Sequence, residues 1–242
     1  MNILLTNDDG IDAPGILAAQ EALAGLGQVH VIAPRTQRSA CSHTITLSRT
    51  IAVEPMQHAT LGPVHAVDGT PADCVRLAVA ALLEEPVDLL ISGINAGANS
   101  GVDVFYSGTV AAAREGAILG IRAIAISQGL RQGLETDWSA ATRVSGMIIR
   151  ELLKEALPGP GFWSVNLPPR IPNEPRNHVH RVPVSIQPTP LGFVRTNRPD
   201  GRLMEFDYDA AYWRREVDGP SDYSVIRDGG IAISAIPLHG RF

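Results

Sequence analysis

The chain has 242 residues, of which 45% are hydrophobic and 19% charged, and its net charge is −5. This much apolar material can bury a substantial core, so global disorder is excluded, and the negative balance excludes the overall positive field that collects polynucleotides. Two cysteines, Cys41 and Cys74, are too few for a disulfide scaffold and form no metal knuckle. Both are expected as free thiols in a reducing compartment. No basic stretch precedes an apolar one at the N-terminus, and no window approaches about 18 uninterrupted apolar residues. Neither a signal peptide nor a membrane span is therefore expected, and the expected location is cytoplasmic.

In chain order, Ile3-Leu4-Leu5 predicts a short buried strand ending at Asp8-Asp9-Gly10, and Pro14 suits the first turn of a helix reaching about Leu26. Val29 to Ala33 predicts a second strand, stopped by Pro34. Between Thr44 and Val53, Ile45, Leu47, Ile51 and Val53 interleave with polar residues, the period-two pattern of a half-exposed strand that Val64–Val67 would pair with. Thr70-Pro71-Ala72-Asp73 has the form of a capping box and predicts a helix to about Glu85. A buried strand over Val87–Ser92, a glycine-rich loop, a helix over Thr109–Leu119, a strand over Ile121–Ser127 and a helix over Trp138–Ala156 follow. Strands alternating with helices in this way predict a βαβ architecture with a buried parallel sheet. After Pro158 prolines punctuate the chain, and six arginines fall between Arg170 and Arg202 against two acids. The expectation is one domain over 1–242: an α/β core over 1–157 carrying the site, and a hairpin-containing extension over 158–242.

Ligands of open α/β sheets bind at the carboxyl ends of the strands. Three polar loops fall there, containing Asp8-Asp9-Gly10, Ser39, and Asn95 and Asn99 within the run Gly93–Gly101. Adjacent carboxylates repel unless something positive lies beside them. Asp8 and Asp9 thus form a candidate clamp for a divalent cation, with Ser39 and Asn95 as neutral oxygen donors. Hard oxygen ligands without a Cys or His cluster point to magnesium or manganese. Taken alone, Asp-Asp-Gly is equally ordinary turn chemistry. Ser107-Gly108-Thr109 opens a helix, where unpaired amides and the helix dipole favour an anion such as phosphate, although Ser and Thr are also common plain caps. Cation and phosphate cradle together suggest phosphoester hydrolysis. The chain has no Walker loop (Lys154 is its only lysine), no Asp-x-Asp after the first strand and no Gly-x-Gly-x-x-Gly after it.

Four blocks carry a family resemblance: Asn7-Asp8-Asp9-Gly10-Ile11-x-Ala13-Pro14-Gly15, Gly69-Thr70-Pro71-Ala72-Asp73-Cys74-Val75, Ser92-Gly93-Ile94-Asn95-x-Gly97-x-Asn99-x-Gly101 and Tyr106-Ser107-Gly108-Thr109-Val110-x-Ala112-Ala113-x-Glu115-Gly116. In this order they resemble the signature blocks of the SurE, or stationary-phase survival protein, family. The resemblance implies a three-layer α/β/α, Rossmann-like, mostly parallel sheet with a C-terminal β-hairpin arm. It implies a 5′-nucleotidase acting on nucleoside 5′- and 3′-monophosphates, sometimes on short polyphosphate. It also implies one divalent cation, Mg2+ or Mn2+, on Asp8, Asp9, Ser39 and Asn95, with Asn99, Ser107, Gly108 and Thr109 on the phosphate. Asp8, Asp9, Asn95 and Ser107 are the expected catalytic residues, and a homodimer or homotetramer through the arm is the expected assembly. Two rival readings are an exopolyphosphatase and a non-catalytic nucleotide- or metal-sensing module.

Overall fold

The computed structural model describes residues 1–197, 204–209, 212–217 and 219–239. Strand β1 (Asn2–Thr6) leads through helix α1 (Pro14–Ala22) to β2 (Gln28–Pro34). The pair β3 (Val53–His58) and β4 (Gly62–Val67) follows, then α2 (Pro71–Leu77), β5 (Leu89–Ala96), α3 (Gly108–Ile118), β6 (Arg122–Gln128), α4 (Trp138–Leu152) and β7 (Gly161–Leu167). Short β8 (Val179–Arg181), the hairpin β9 (Phe193–Asn197) and β10 (Met204–Tyr208), α5 (Asp222–Arg227) and β11 (Ile231–Pro237) complete the described elements.

Nine strands form one sheet in the order β3-β4-β2-β1-β5-β6-β7-β11-β8, and β9-β10 pair apart from it. The pairs β4-β2, β2-β1, β1-β5, β5-β6 and β6-β7 are parallel, while β3-β4 and β7-β11 are antiparallel. Both faces are covered, so the inner strands are buried along their length, as β5 and β6 show. Ile3, Leu5, Ile91, Ile124 and Ile126 face α1 and α4; Leu4, Leu90, Ala123 and Ala125 face α2 and α3. The result is the expected three-layer α/β/α architecture. The crossovers carrying α1, α2 and α3 share one hand. That carrying α4 moves along the sheet in the direction of the α3 crossover but over the opposite face, so its hand is reversed, a departure from the usual rule for parallel strands.

The chain leaves β1 in one direction and returns to its other side as β5, so the topological switch point lies between these two strands, with Thr6 in register with Ser92. A crevice at the carboxyl ends of strands opens at such a point. Immediately beyond Thr6 and Ser92 come Asp8, Asp9 and Asn95.

Three sequence expectations are corrected. Residues 44–52 are not a strand; the strand that pairs with β4 begins at Val53 and tolerates Pro55 because β3 is the sheet edge. The polar residues of the alternating stretch are instead tied to α2 and its approach. Thr46 donates its N–H and hydroxyl to Asp73 (2.8 and 2.7 Å), the Thr70 hydroxyl donates to the Thr44 carbonyl (2.7 Å), and Arg49 reaches Asp68 (3.2 Å). The helix expected to reach Glu85 ends at Leu77 and widens into a π turn over Ala78–Leu82. The composition break at Pro158 does not mark the edge of the core, because β7, β11 and β8 all lie in the central sheet. β7 and β11 are themselves nearly continuous buried runs, and the prolines fall mainly in the connections around them.

Asp73 closes the capping box of α2 with Thr70 while accepting both bonds from Thr46. Burial opposes its charge, but these hydrogen bonds together hold its carboxyl below the usual value. Asp73→Ala is expected to cost about 2–4 kcal/mol, read by urea denaturation, because it removes a cap and orphans the Thr46 N–H. The charged group's contribution is present above the ordinary aspartate pKa and is lost as pH falls through the lowered folded value. The gap between parent and variant should therefore narrow in acid.

Candidate active site

The turn after β1 is held by Asn7, whose amide donates to the Gly10 carbonyl at 2.7 Å, and by the Arg38 N–H, which donates to the Asp8 carbonyl at 2.7 Å. These bonds present two carboxylates side by side. Asp8 is buried, and its Oδ1 accepts the Thr109 hydroxyl at 2.5 Å. Asp9 is half-buried, and its Oδ2 accepts the Ala96 N–H at 2.8 Å. Gln37 joins Asp9 to Ser39: its amide lies 3.4 Å from Asp9 Oδ1 and 3.0 Å from Ser39 Oγ. Buried Asn95 spends its amide nitrogen on the Gly97 carbonyl at 2.7 Å, which leaves its side-chain oxygen as the available donor. The four expected cation ligands thus come from the turn after β1, the loop after β2 and the end of β5, which runs on past Ser92 through a register shift to include Asn95 instead of giving way to a loop there.

Among the described residues no Lys, Arg or His pairs with Asp8 or Asp9. Burial pushes the Asp8 carboxyl up to about 6; hydrogen bonding from Thr109 opposes the rise and the neighbouring Asp9 charge adds to it. Burial also raises Asp9, against the Ala96 and Gln37 hydrogen bonds. Two abutting carboxylates met only by neutral donors form an uncompensated negative site, and hard oxygen donors of this kind fit a divalent cation in their chemistry.

Helix α3 begins beside them. Ser107 is its cap, with Oγ accepting the Val110 N–H at 3.0 Å, and its carbonyl accepts the Ala111 N–H at 3.1 Å. Gly108 is in close contact with Asp8. A Cβ there would lie 2.9 Å from both Cβ and Oδ2 of Asp8 and 3.0 Å from Cys41 Sγ. The Thr109 hydroxyl hydrogen is committed to Asp8, so its side chain orients a carboxylate instead of offering the phosphate donor expected from sequence. The Ser107 hydroxyl and the Gly108 N–H remain for an anion. Asn99 is buried in the adjoining loop: its N–H donates to Asn166 at 2.8 Å and its side-chain amide to Ser127 at 2.8 Å, so one of two amide hydrogens is already used.

Three contributors are invisible to motif reading. Gln37 reaches Asp9 and Ser39 from a loop with no regular pattern. The Ala96 contribution is a backbone N–H. His43 is held by buried Glu115 at 2.7 Å, which also accepts from Arg76 at 2.8 Å, linking the Ser39 loop to α2 and α3.

A mostly parallel α/β sheet with a carboxylate pair at its switch point, beside the start of a helix, defines an α/β protein whose polar crevice lies at the carboxyl ends of its strands. A profile of the family described as Survival protein SurE matches residues 3–190. The chain is 45% identical to the 5′-nucleotidase SurE of Geobacter sulfurreducens over 99% of this chain and 88% of that protein. It is 42% identical to a putative 5′-nucleotidase of Synechocystis over 98% and 99% of the two chains. The crystal structure of the SurE protein from Aquifex aeolicus superposes with a TM-score of 0.83 at 31% identity, covering 100% of this chain and 95% of that one. The chain belongs to the SurE family. No helix among the described residues is long and apolar enough to cross a membrane.

Proposed function

We propose that the protein is a divalent-cation-dependent 5′-nucleotidase that releases inorganic phosphate from nucleoside monophosphates, 3′-monophosphates included. The observation carrying this reading is the pair of buried Asp8 and half-buried Asp9, which has no cationic partner among the described residues and lies against the start of α3. A phosphate brought to that helix start meets the Asp8 carboxylate, and the encounter is repulsive unless a cation lies between them. The relatives named as 5′-nucleotidases support the substrate class.

Asp8, Asp9, Ser39 and Asn95 are the residues that would hold the cation. When bound, it supplies charge neutralisation at the phosphoryl oxygens and acidifies water. The Ser107 hydroxyl and the Gly108 N–H grip phosphoryl oxygens, with the second Asn99 amide hydrogen reaching the same group. Thr109 keeps Asp8 in one orientation through its hydroxyl, and Gln37 and the Ala96 N–H do the same for Asp9. The proton of the attacking water passes to the carboxylate pair as the new bond to phosphorus forms, the bond from phosphorus to the ester oxygen breaks, and the proton is returned to that oxygen as the nucleoside leaves. The hairpin β9-β10 exposes Phe193, Val194, Met204, Phe206 and Tyr208, which suits it to pair with another copy in a homodimer or homotetramer.

The test is a screen of purified protein against 5′- and 3′-monophosphates and short polyphosphate, with magnesium, manganese or chelator. Phosphate release from monophosphates with either metal, abolished by chelator, is the expected result. Nucleotide binding without release under every metal would replace the enzyme reading with a sensing module. Higher specific activity on polyphosphate would make that the principal substrate.

A further inference from the structure

We infer that Arg215, delivered from beyond the hairpin arm, positions the phosphate-gripping start of α3 by clamping the turn that precedes it; this rests on the reading of Ser107 and Gly108 given above. That turn is a single 3-10 segment over Gly101–Phe105. Segments of this kind are intrinsically weak, so tertiary partners set their shape. Asp103 is the hub. Its carbonyl accepts the N–H of Tyr106 and of Ser107, each at 3.0 Å, and its own N–H donates to the Ser100 carbonyl at 3.3 Å. The direction in which Ser107 enters α3 therefore follows from where Asp103 is held.

Arg215 holds it. One terminal guanidinium nitrogen donates to both carboxylate oxygens of Asp103 at 2.6 Å, and the second terminal nitrogen donates to the Ser100 carbonyl at 2.8 Å. A single planar group thus grips both ends of the turn. Its side chain is 1% exposed, and the guanidinium lies 5.5 Å from the centre of the Tyr223 ring. Gly101 makes room for it. Its φ is +59°, and a Cβ there would stand 3.2 Å from the Arg215 nitrogen and 3.2 Å from the Ser185 carbonyl. The Gly101 N–H is in turn held by Asp222 at 2.8 Å, and the same carboxylate accepts the Ser185 N–H at 2.8 Å. Ser185 and Arg215 thus bracket the hairpin in sequence and meet at the turn. A buried ion pair is a poor source of net stability, since desolvating both charges offsets their attraction. Geometry is what this pair supplies. Two nitrogens held in one rigid plane fix the Asp103 carboxylate and the Ser100 carbonyl relative to each other, which the single nitrogen of a flexible ammonium cannot do.

The clamp touches the phosphate side of the site and none of Asp8, Asp9, Ser39 or Asn95, which gives it a distinct signature. In Arg215→Met, the Kd for inorganic phosphate and the KM for 5′-AMP are expected to rise about tenfold or more, while manganese affinity by calorimetry stays within about twofold. Asp103→Asn should shift phosphate affinity the same way, and Arg215→Lys should fall between parent and Arg215→Met. Unchanged phosphate affinity in folded Arg215→Met overturns the inference, as does a parallel loss of manganese affinity, which would mark general loosening. If Arg215→Met does not fold, Arg215→Lys decides on the same two affinities. A parent protein that binds phosphate but hydrolyses no monophosphate would sink the nucleotidase reading and leave the Arg215 test standing. A parent that binds neither phosphate nor AMP overturns both.

Discussion

Asp8→Asn is expected to lower kcat/KM for manganese-dependent release of phosphate from 5′-AMP by about 10³-fold or more. Asparagine nearly matches aspartate in shape, and its side-chain oxygen still accepts the Thr109 hydroxyl bond. What disappears is one of two charges that nothing else in the described structure neutralises. The fold should not suffer. Without a cation, burial holds the Asp8 carboxyl near 6, above the unfolded value, so folding is penalised wherever the unfolded chain carries that charge more readily. The penalty is absent at pH values below the ordinary aspartate pKa, grows as pH rises towards 6, and is full above it. In chelator at pH 7.5 the variant should therefore be more stable than the parent, by up to about 3 kcal/mol, and the gap should close as the pH is lowered towards 4. Turnover within about tenfold of the parent would end the assignment of Asp8 as the principal ligand.

Gly108→Ala should be nearly as damaging, for a steric reason. At an ordinary helix start alanine is favoured over glycine by a fraction of about 1 kcal/mol. Here the added methyl would lie 2.9 Å from Cβ and Oδ2 of Asp8 and 3.0 Å from Cys41 Sγ. The Asp8 Cβ is fixed to the backbone of the β1 turn and cannot swing away. Either that turn or the start of α3 must shift, separating the carboxylates from the phosphate donors. The expected cost is about 10²-fold in kcat/KM, together with about 1–3 kcal/mol of stability from overpacking. Adding Cys41→Ala relieves only the thiol contact and should restore little of the activity. Recovery to near the parent's rate would place the critical contact at Cys41, not at Asp8.

Much of this site is legible in the sequence because its parts are local. Asp8-Asp9-Gly10 comes just after the first strand, Asn95 closes another with Asn99 just beyond it, and Ser107-Gly108-Thr109 opens a helix. An apolar run followed by polar punctuation is enough to place such residues at strand ends and helix starts. Other readings failed where tertiary partners overrode a local pattern. The alternation over Thr44–Val53 has the pattern of a strand, yet the Thr46 N–H and hydroxyl are taken up by Asp73 and not by a neighbouring ladder. The proline-rich region after Pro158 looked separate from the core, yet β7 and β11 extend the central sheet. Thr109 opens α3 as its sequence suggests, but its hydroxyl donates to the Asp8 carboxylate.

The sequence by itself determined the order of strands and helices through the first half and the βαβ class, and it named polar residues that fall at strand ends and at a helix start. Periodicity, caps and turn residues act over a few positions, and they can be read there. Only the tertiary structure decided that β1 and β5 are neighbours, that Gln37 bridges Asp9 and Ser39, and that Arg215 closes on Asp103 across more than a hundred residues. Those pairings depend on where separate elements come to lie once both faces of the sheet are buried, and no local rule of spacing encodes that distance.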